Sequence, residues 1–188
     1  HNSTTSDFNT AVGRQAMFSN TTGTLNSALG LNAAYSTTTG TQITAIGRNS
    51  LYSNTTGGEI TAVGSCALYN STGCCNSAFG AKAGCRVTTG TDNVFIGRNA
   101  YGPQDGGQNN MVGGSAGGSS MTSAYYNNGI GGGGILGNLT TGYNNIAVGH
   151  DAGYVTTTGN HNIYMGYKAK ASGSGTTYEY VIGSRRWR

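Results

Sequence analysis

A five-residue phrase, asparagine–x–alanine–apolar residue–glycine, returns along this chain about every 17 residues, and that period constrains the fold more than any other feature of the sequence. It reads NTAVG, NSALG, NSAFG and NIAVG, with ITAIG and ITAVG as near variants. Its glycine falls at Gly13, Gly30, Gly47, Gly64, Gly80, Gly97, Gly113, Gly131, Gly149, Gly166 and Gly183, at spacings of 17, 17, 17, 16, 17, 16, 18, 18, 17 and 17. Eleven units fill the 188 residues and leave no second domain over.

Each column of the aligned units carries its own chemistry. The residue before the anchor glycine is always apolar: Val12, Leu29, Ile46, Val63, Phe79, Ile96, Val112, Ile130, Val148, Met165 and Ile182. Such a column is expected to face inward. Alanine stands three after the anchor in eight units (Ala16, Ala33, Ala67, Ala83, Ala100, Ala116, Ala152, Ala169). Asparagine stands four before it in eight units (Asn9, Asn26, Asn76, Asn93, Asn109, Asn127, Asn145, Asn162). Stacked asparagines can form amide ladders that satisfy turn carbonyls and amides. A Thr-Thr-Gly or Ser-Thr-Gly corner follows around ten residues after the anchor, where threonine hydroxyls bond locally.

Helical repeats run to about 33 residues or more, and glycine costs a helix about 1 kcal/mol per position, so a helical solenoid is excluded. Here glycine supplies 34 of the residues. A short strand with alternate apolar residues, then a glycine turn and a small residue, is one rung of a parallel β-solenoid. Recurring alanine implies a thin core, marginal for one chain, which points to oligomerisation or capped ends.

Composition closes off other classes. Only 9% of the residues are charged and the net charge is +4, with 36% hydrophobic, so charge-driven disorder does not apply. Glycine without a three-residue period, and a single proline, exclude collagen. No apolar run approaches the roughly 20 residues that cross a bilayer, and HNSTTSDFN lacks the pattern of a secretory signal. With His1 first, the chain reads as a piece of a longer protein.

Units such as FNTAVGRQAMFSNTTGT and YNNIAVGHDAGYVTTTGN resemble the NTAVG…A…SNTTG repeats of bacteriophage tail fibres, which commonly precede a self-cleaving chaperone of the endosialidase type. They are similar, more distantly, to the head repeats of trimeric autotransporter adhesins. The resemblance runs from about Phe8 to Gly183. It implies a parallel homotrimer, with each chain winding a β-roll or the three chains interleaving into a prism, working in the virion outside the cell to attach it to a host glycan or outer-membrane receptor. Alternatives are a bacterial adhesin, an extracellular filament subunit, or an ice-binding β-solenoid. The last needs a regular threonine array, and threonine here sits mostly at corners with no T-x-T column. The chaperone is absent from the sequence, as a matured fibre or any shorter piece of one would have it.

Candidate chemistry is sparse. Asp7, Glu59, Asp92, Asp105, Asp151 and Glu179 are scattered, whereas a glycosidase holds two carboxylates roughly 5–10 Å apart. No catalytic residue, metal, cofactor, nucleic-acid partner or membrane insertion is expected. His1, His150 and His161 have no metal-type spacing, and GIGGGGILG lacks the strand–helix context of a nucleotide site. Cys66, Cys74, Cys75 and Cys85 lack the paired C-x-x-C pattern of zinc, leaving free thiols or a local or interchain disulfide. Arg14, Arg48 and Arg98 share the column after the anchor, a basic stripe that is either a solvated face or a contact for anionic glycan. Tyr35, Tyr52, Tyr69 and Tyr154 stand five after the anchor and are expected to stack, or to form a sugar platform. Sequons at Asn2, Asn20, Asn54, Asn70 and Asn138 matter only in a eukaryotic secretory route.

Two segments break the repeat. From Tyr101 to Gly137 the alanine two before the anchor becomes Met111 and Gly129, and YGPQDGGQ replaces a Thr-Thr-Gly corner, so a changed cross-section or a protruding loop is expected there. Pro103, Gln104, Asp105, Tyr125 and Tyr126 are its exposed receptor-binding candidates. The terminal segment, about 178–188, ends in Arg185, Arg186, Trp187 and Arg188, which pair an aromatic with cations as binding hot spots do. It serves equally as a cap or a junction to a further domain.

Overall fold

The computed structural model describes residues 7–183. Among them the chain is all-β, with one strand per unit: β1 (Thr10–Val12), β2 (Ser27–Leu29), β3 (Ile43–Ile46), β4 (Ile60–Val63), β5 (Ser77–Phe79), β6 (Val94–Ile96), β7 (Asn110–Val112), β8 (Asn128–Ile130), β9 (Ile146–Val148), β10 (Ile163–Met165) and β11 (Tyr180–Ile182). They form one parallel sheet in chain order, a β-solenoid in which each turn of chain lays the next strand beside the last. At about 4.8 Å per rung the ten steps span roughly 50 Å.

Register follows the columns without slip. Ala11 pairs with Ala28, Ala28 with Ala45, and Ala45 with Ala62. Phe95 pairs with Met111, and Met111 with Gly129. Units of 16 and 18 residues therefore absorb their difference at the corners. The anchor glycines sit one above another, and Gly97 shows why nothing larger fits. Its φ is +126°, and a β-carbon there would lie 2.5 Å from the carbonyl oxygen of Gly113.

The asparagine column is a buried ladder, as expected. Asn109 Nδ2 donates to Asn93 Oδ1 at 3.0 Å, Asn127 to Asn109 at 3.0 Å and Asn145 to Asn127 at 2.9 Å. The same oxygens accept the backbone N–H one rung on, and each Nδ2 also reaches a corner carbonyl, as Asn145 does to Gly159 at 2.8 Å. Ile43 and Ile60 interrupt the ladder, and the Gly57 carbonyl is served instead by Asn54 Nδ2 at 3.0 Å.

The inward column is the alanine two before the anchor: Ala28, Ala45, Ala62, Ala78 and Ala147 are all at most 2% exposed. The residue beside it behaves oppositely. Val12 is 54% exposed, Ile46 38%, Ile96 42% and Ile130 52%, with Val63 half-buried. The expectation that the apolar residues before the glycines face inward is therefore overturned. Side chains alternate along a strand, and the buried asparagine and alanine columns already occupy the inner parity.

The core is also fuller than thin alanine walls imply, because large and small residues trade places across it. Phe95 takes the alanine position where Gly84 and Gly102 stand opposite, and a β-carbon on Gly84 would meet Phe95 Cδ2 at 2.6 Å. Tyr164 does the same against Gly153, its hydroxyl bonded to Thr156 Oγ1 at 2.9 Å. Where Gly129 leaves the column empty, Ile135 and Leu136 fill the space with Met111. In the 101–137 segment the packing is exchanged in this way, and the expected protruding loop is not there. Gly117, Thr122 and Tyr126 remain bonded through their backbones to neighbouring rungs.

Candidate interaction surfaces

Outside the core, three faces repeat along the axis. The first is the outer face of the sheet. Its apolar column runs through all eleven strands, from Val12 to Ile182. Beside it, two positions earlier, stand Thr10, Ser27, Thr44, Thr61 and Ser77, giving way to Val94, Asn110, Asn128, Ile146, Ile163 and Tyr180. A strip about 50 Å by 10 Å, on the order of 500 Å² in outline, reaches the size at which an exposed apolar patch marks an interaction site.

The second face carries the aromatic column. Phe18, Tyr35, Tyr52 and Tyr69 form one stack, with centroids 5.3, 5.0 and 5.1 Å apart and planes within 5° of parallel. Stacking covers the inner ring faces, so this stretch is ladder packing rather than a row of sugar platforms. Beyond Tyr69 the column changes to Cys85, and a cavity of about 350 Å³ opens there against Tyr69, Asn70, Lys82, Arg86 and Tyr101. A smaller one beside it holds Arg48, Lys82 and Arg98. These cations form no ion pair among the described residues. Two of the three arginines sharing the post-anchor column thus border a concave, cationic surface.

The third face is the threonine corner. Thr21 Oγ1 donates to the Thr38 carbonyl, Thr38 to Thr55, Thr72 to Thr88, and Thr140 to Thr157, all between 3.0 and 3.1 Å. These hydroxyls are engaged in holding rungs together.

The structure divides the candidate receptor residues. Pro103 is buried, in the inward column that Val87 and Met121 also occupy, which corrects its assignment as an exposed contact. The ring replaces a corner side chain and fills the core. Gln104 is half-buried, and its carbonyl accepts from Thr88 and Gly90. Asp105 is exposed, and the hydroxyls of Thr88 (2.7 Å) and Thr89 (2.9 Å) hold its carboxyl below the usual carboxylate range. Tyr125 reaches back to the Asp105 carbonyl at 3.4 Å, and its ring lies 6.3 Å from that of Tyr126. Asp105, Tyr125 and Tyr126 are thus exposed, the first two in contact. In the terminal segment Tyr180–Ile182 is a regular strand paired with β10, and Arg185, Arg186, Trp187 and Arg188 lie outside the described residues.

The four thiols are free and half-buried. Cys74 and Cys75 bring their sulfurs to 3.0 Å, and that hydrogen bond, with burial, pushes the Cys75 thiol up to about 12. Burial also raises Cys85, against the pull of Arg86 and Lys82. His161 stacks on Tyr178 at 4.9 Å, and His150 Nδ1 lies 3.0 Å from Asp151 Oδ2. Among the described residues no three His, Cys, Asp or Glu side chains gather as metal ligands, and no helix is long and apolar enough to cross a membrane.

Sequence reasoning missed the outer apolar strip, although the signal was available. The buried asparagine and the alanine stand two positions apart, with a single residue between them, so both share one face and the pre-anchor residue takes the other. Comparison with protein-family models, curated proteins and solved structures returned no match.

Proposed function

We propose that this chain is a segment of a bacteriophage tail fibre, a non-enzymatic parallel homotrimer that takes part in attaching the virion to a host-surface glycan or outer-membrane receptor. The observation that supports it is the apolar column on the outer face of the sheet, unbroken from β1 to β11. Three such faces turned inward around a common axis would bury each other along the full length, and would leave the cationic and aromatic corners outside. The repeat's resemblance to tail-fibre units supports the trimer and the attachment role.

Sedimentation of the wild-type chain at micromolar concentration is expected to give three times the monomer mass. Ile96→Asp combined with Val63→Asp, which puts two carboxylates into the strip, is expected to yield a monomer with an unchanged β-sheet circular dichroism spectrum. A wild-type monomer would overturn the proposal. The threonine and serine column beside the apolar one in the first five rungs favours ice binding as a second reading. Inhibition of ice recrystallisation by the wild type would carry it.

A further inference from the structure

Near the end of the solenoid, Asp151, Tyr154, Tyr167, Lys168 and Lys170 line an open pocket of about 510 Å³, within the roughly 300–1,000 Å³ typical of small-ligand sites. An irregularity of the repeat holds one of its lining residues in place. The unit beginning at Gly131 has 18 residues, and its Gly134 gives its N–H to Asp151 Oδ1 at 2.7 Å. The other carboxylate oxygen meets His150 Nδ1 at 3.0 Å. Asp151 is therefore fixed before anything binds, and it fixes the imidazole in turn.

The walls are aromatic and cationic. Tyr154 and Tyr167 are 46% and 60% exposed. Tyr154 occupies the column in which Phe18, Tyr35, Tyr52 and Tyr69 cover one another, yet it stacks on no other ring among the described residues. Lys168 Nζ lies 5.2 Å from the Tyr167 ring centroid, and the His150 ring is 5.8 Å from the same ring. The phenol beside Lys168 raises its pKa above the ordinary lysine value, so the ammonium is kept charged.

We infer that this pocket binds a pyranose bearing an anionic substituent, a carboxylate or a phosphate. The ring's C–H face packs on Tyr154 and Tyr167, Lys168 and Lys170 meet the anion, and Asp151 with His150 hydrogen-bonds ring hydroxyls. Paired aromatics supply apolar area at little entropic cost, and two ammonium groups against one carboxylate give the site its sign preference. The inference deepens the attachment reading and rests on it.

Calorimetric titration of the full chain with 3′-sialyllactose, mannose 6-phosphate and lactose separates carboxylate, phosphate and neutral sugar. Saturable binding of one or both acidic sugars is expected, at least roughly tenfold tighter than lactose. Lys168→Met with Lys170→Met should remove that preference, and Tyr167→Ala should weaken all three, with circular dichroism unchanged. Equal binding of lactose and the acidic sugars overturns the inference. So does unaltered binding by the lysine variant, or no saturation up to about 10 mM by the wild type. Sedimentation of the same samples keeps the two readings apart. A trimer that binds no acidic sugar refutes the pocket alone, and a monomer that binds it refutes the fibre alone.

Discussion

At the scale of single residues, the amide ladder does the work that a larger core would otherwise do. Every buried backbone group in a rung needs a partner, and an unsatisfied one costs about 1–3 kcal/mol. The interrupted stretch at Ile43 and Ile60 shows how narrow the margin is. Gly57's carbonyl takes the side-chain amide of Asn54, whereas Gly23's takes both Asn9 at 2.7 Å and Asn20 at 3.1 Å. Asn54 and Asn20 occupy the same column, both are buried, and each leaves its Oδ1 without a partner. Asn54→Ala should therefore cost about 1–3 kcal/mol, and Asn20→Ala distinctly less, since Asn9 remains in place. Equilibrium unfolding of the two variants checks the difference, because both remove the same volume.

At the scale of the strand and its corner, the anchor glycine sets how closely rungs approach. Gly97→Ala would place a methyl 2.5 Å from the Gly113 oxygen at a φ of +126°, and should cost about 3 kcal/mol or more. Gly114→Ala, where nothing lies within 4 Å of the added atom, should stay within about 0.5 kcal/mol. Thermal unfolding of both, side by side, tests whether crowding or glycine content as such matters. Much of this element was legible in the sequence. The period fixed one strand per unit, and the recurrent asparagine announced the ladder. What the period left open was the sense of the strand. Val12 and Ala11 are both apolar, and size alone favoured turning valine inward. Only parity with Asn9 decides it. The fate of Pro103 was hidden for a different reason. Its burial follows from which neighbours leave space, and the exchange of Phe95 against Gly84 and Gly102 is a property of three residues at different positions of the repeat unit. The pocket at Asp151 was likewise invisible, since it depends on the N–H of one added glycine.

At the scale of the molecule, each rung touches only its neighbours, so stability is nearly a sum over rungs and the interfaces between them. Removing residues 47–63 would join Ile46 directly to Gly64 and delete one whole turn of 17 residues. The shortened chain should fold with the same β spectrum and a length reduced by about 4.8 Å. Removing eight residues from the same place should unfold the local register. Small-angle scattering and circular dichroism of the two deletions report both outcomes.

The direction of the backbone hydrogen bonds has a mechanical consequence. They run along the long axis, as the bond from Gly97 N to the Phe79 carbonyl does at 2.8 Å, and the covalent chain runs around it. A pull on the two ends therefore loads the weak bonds head-on and one rung at a time, while the strong bonds carry almost none of the force. Compression meets the opposite situation, because glycine backbone already rests on glycine backbone with no room for a methyl between them. Such a rod is stiff when pushed and peels when drawn out. Each rung that lets go releases about 50 Å of slack chain, so it yields stepwise instead of snapping.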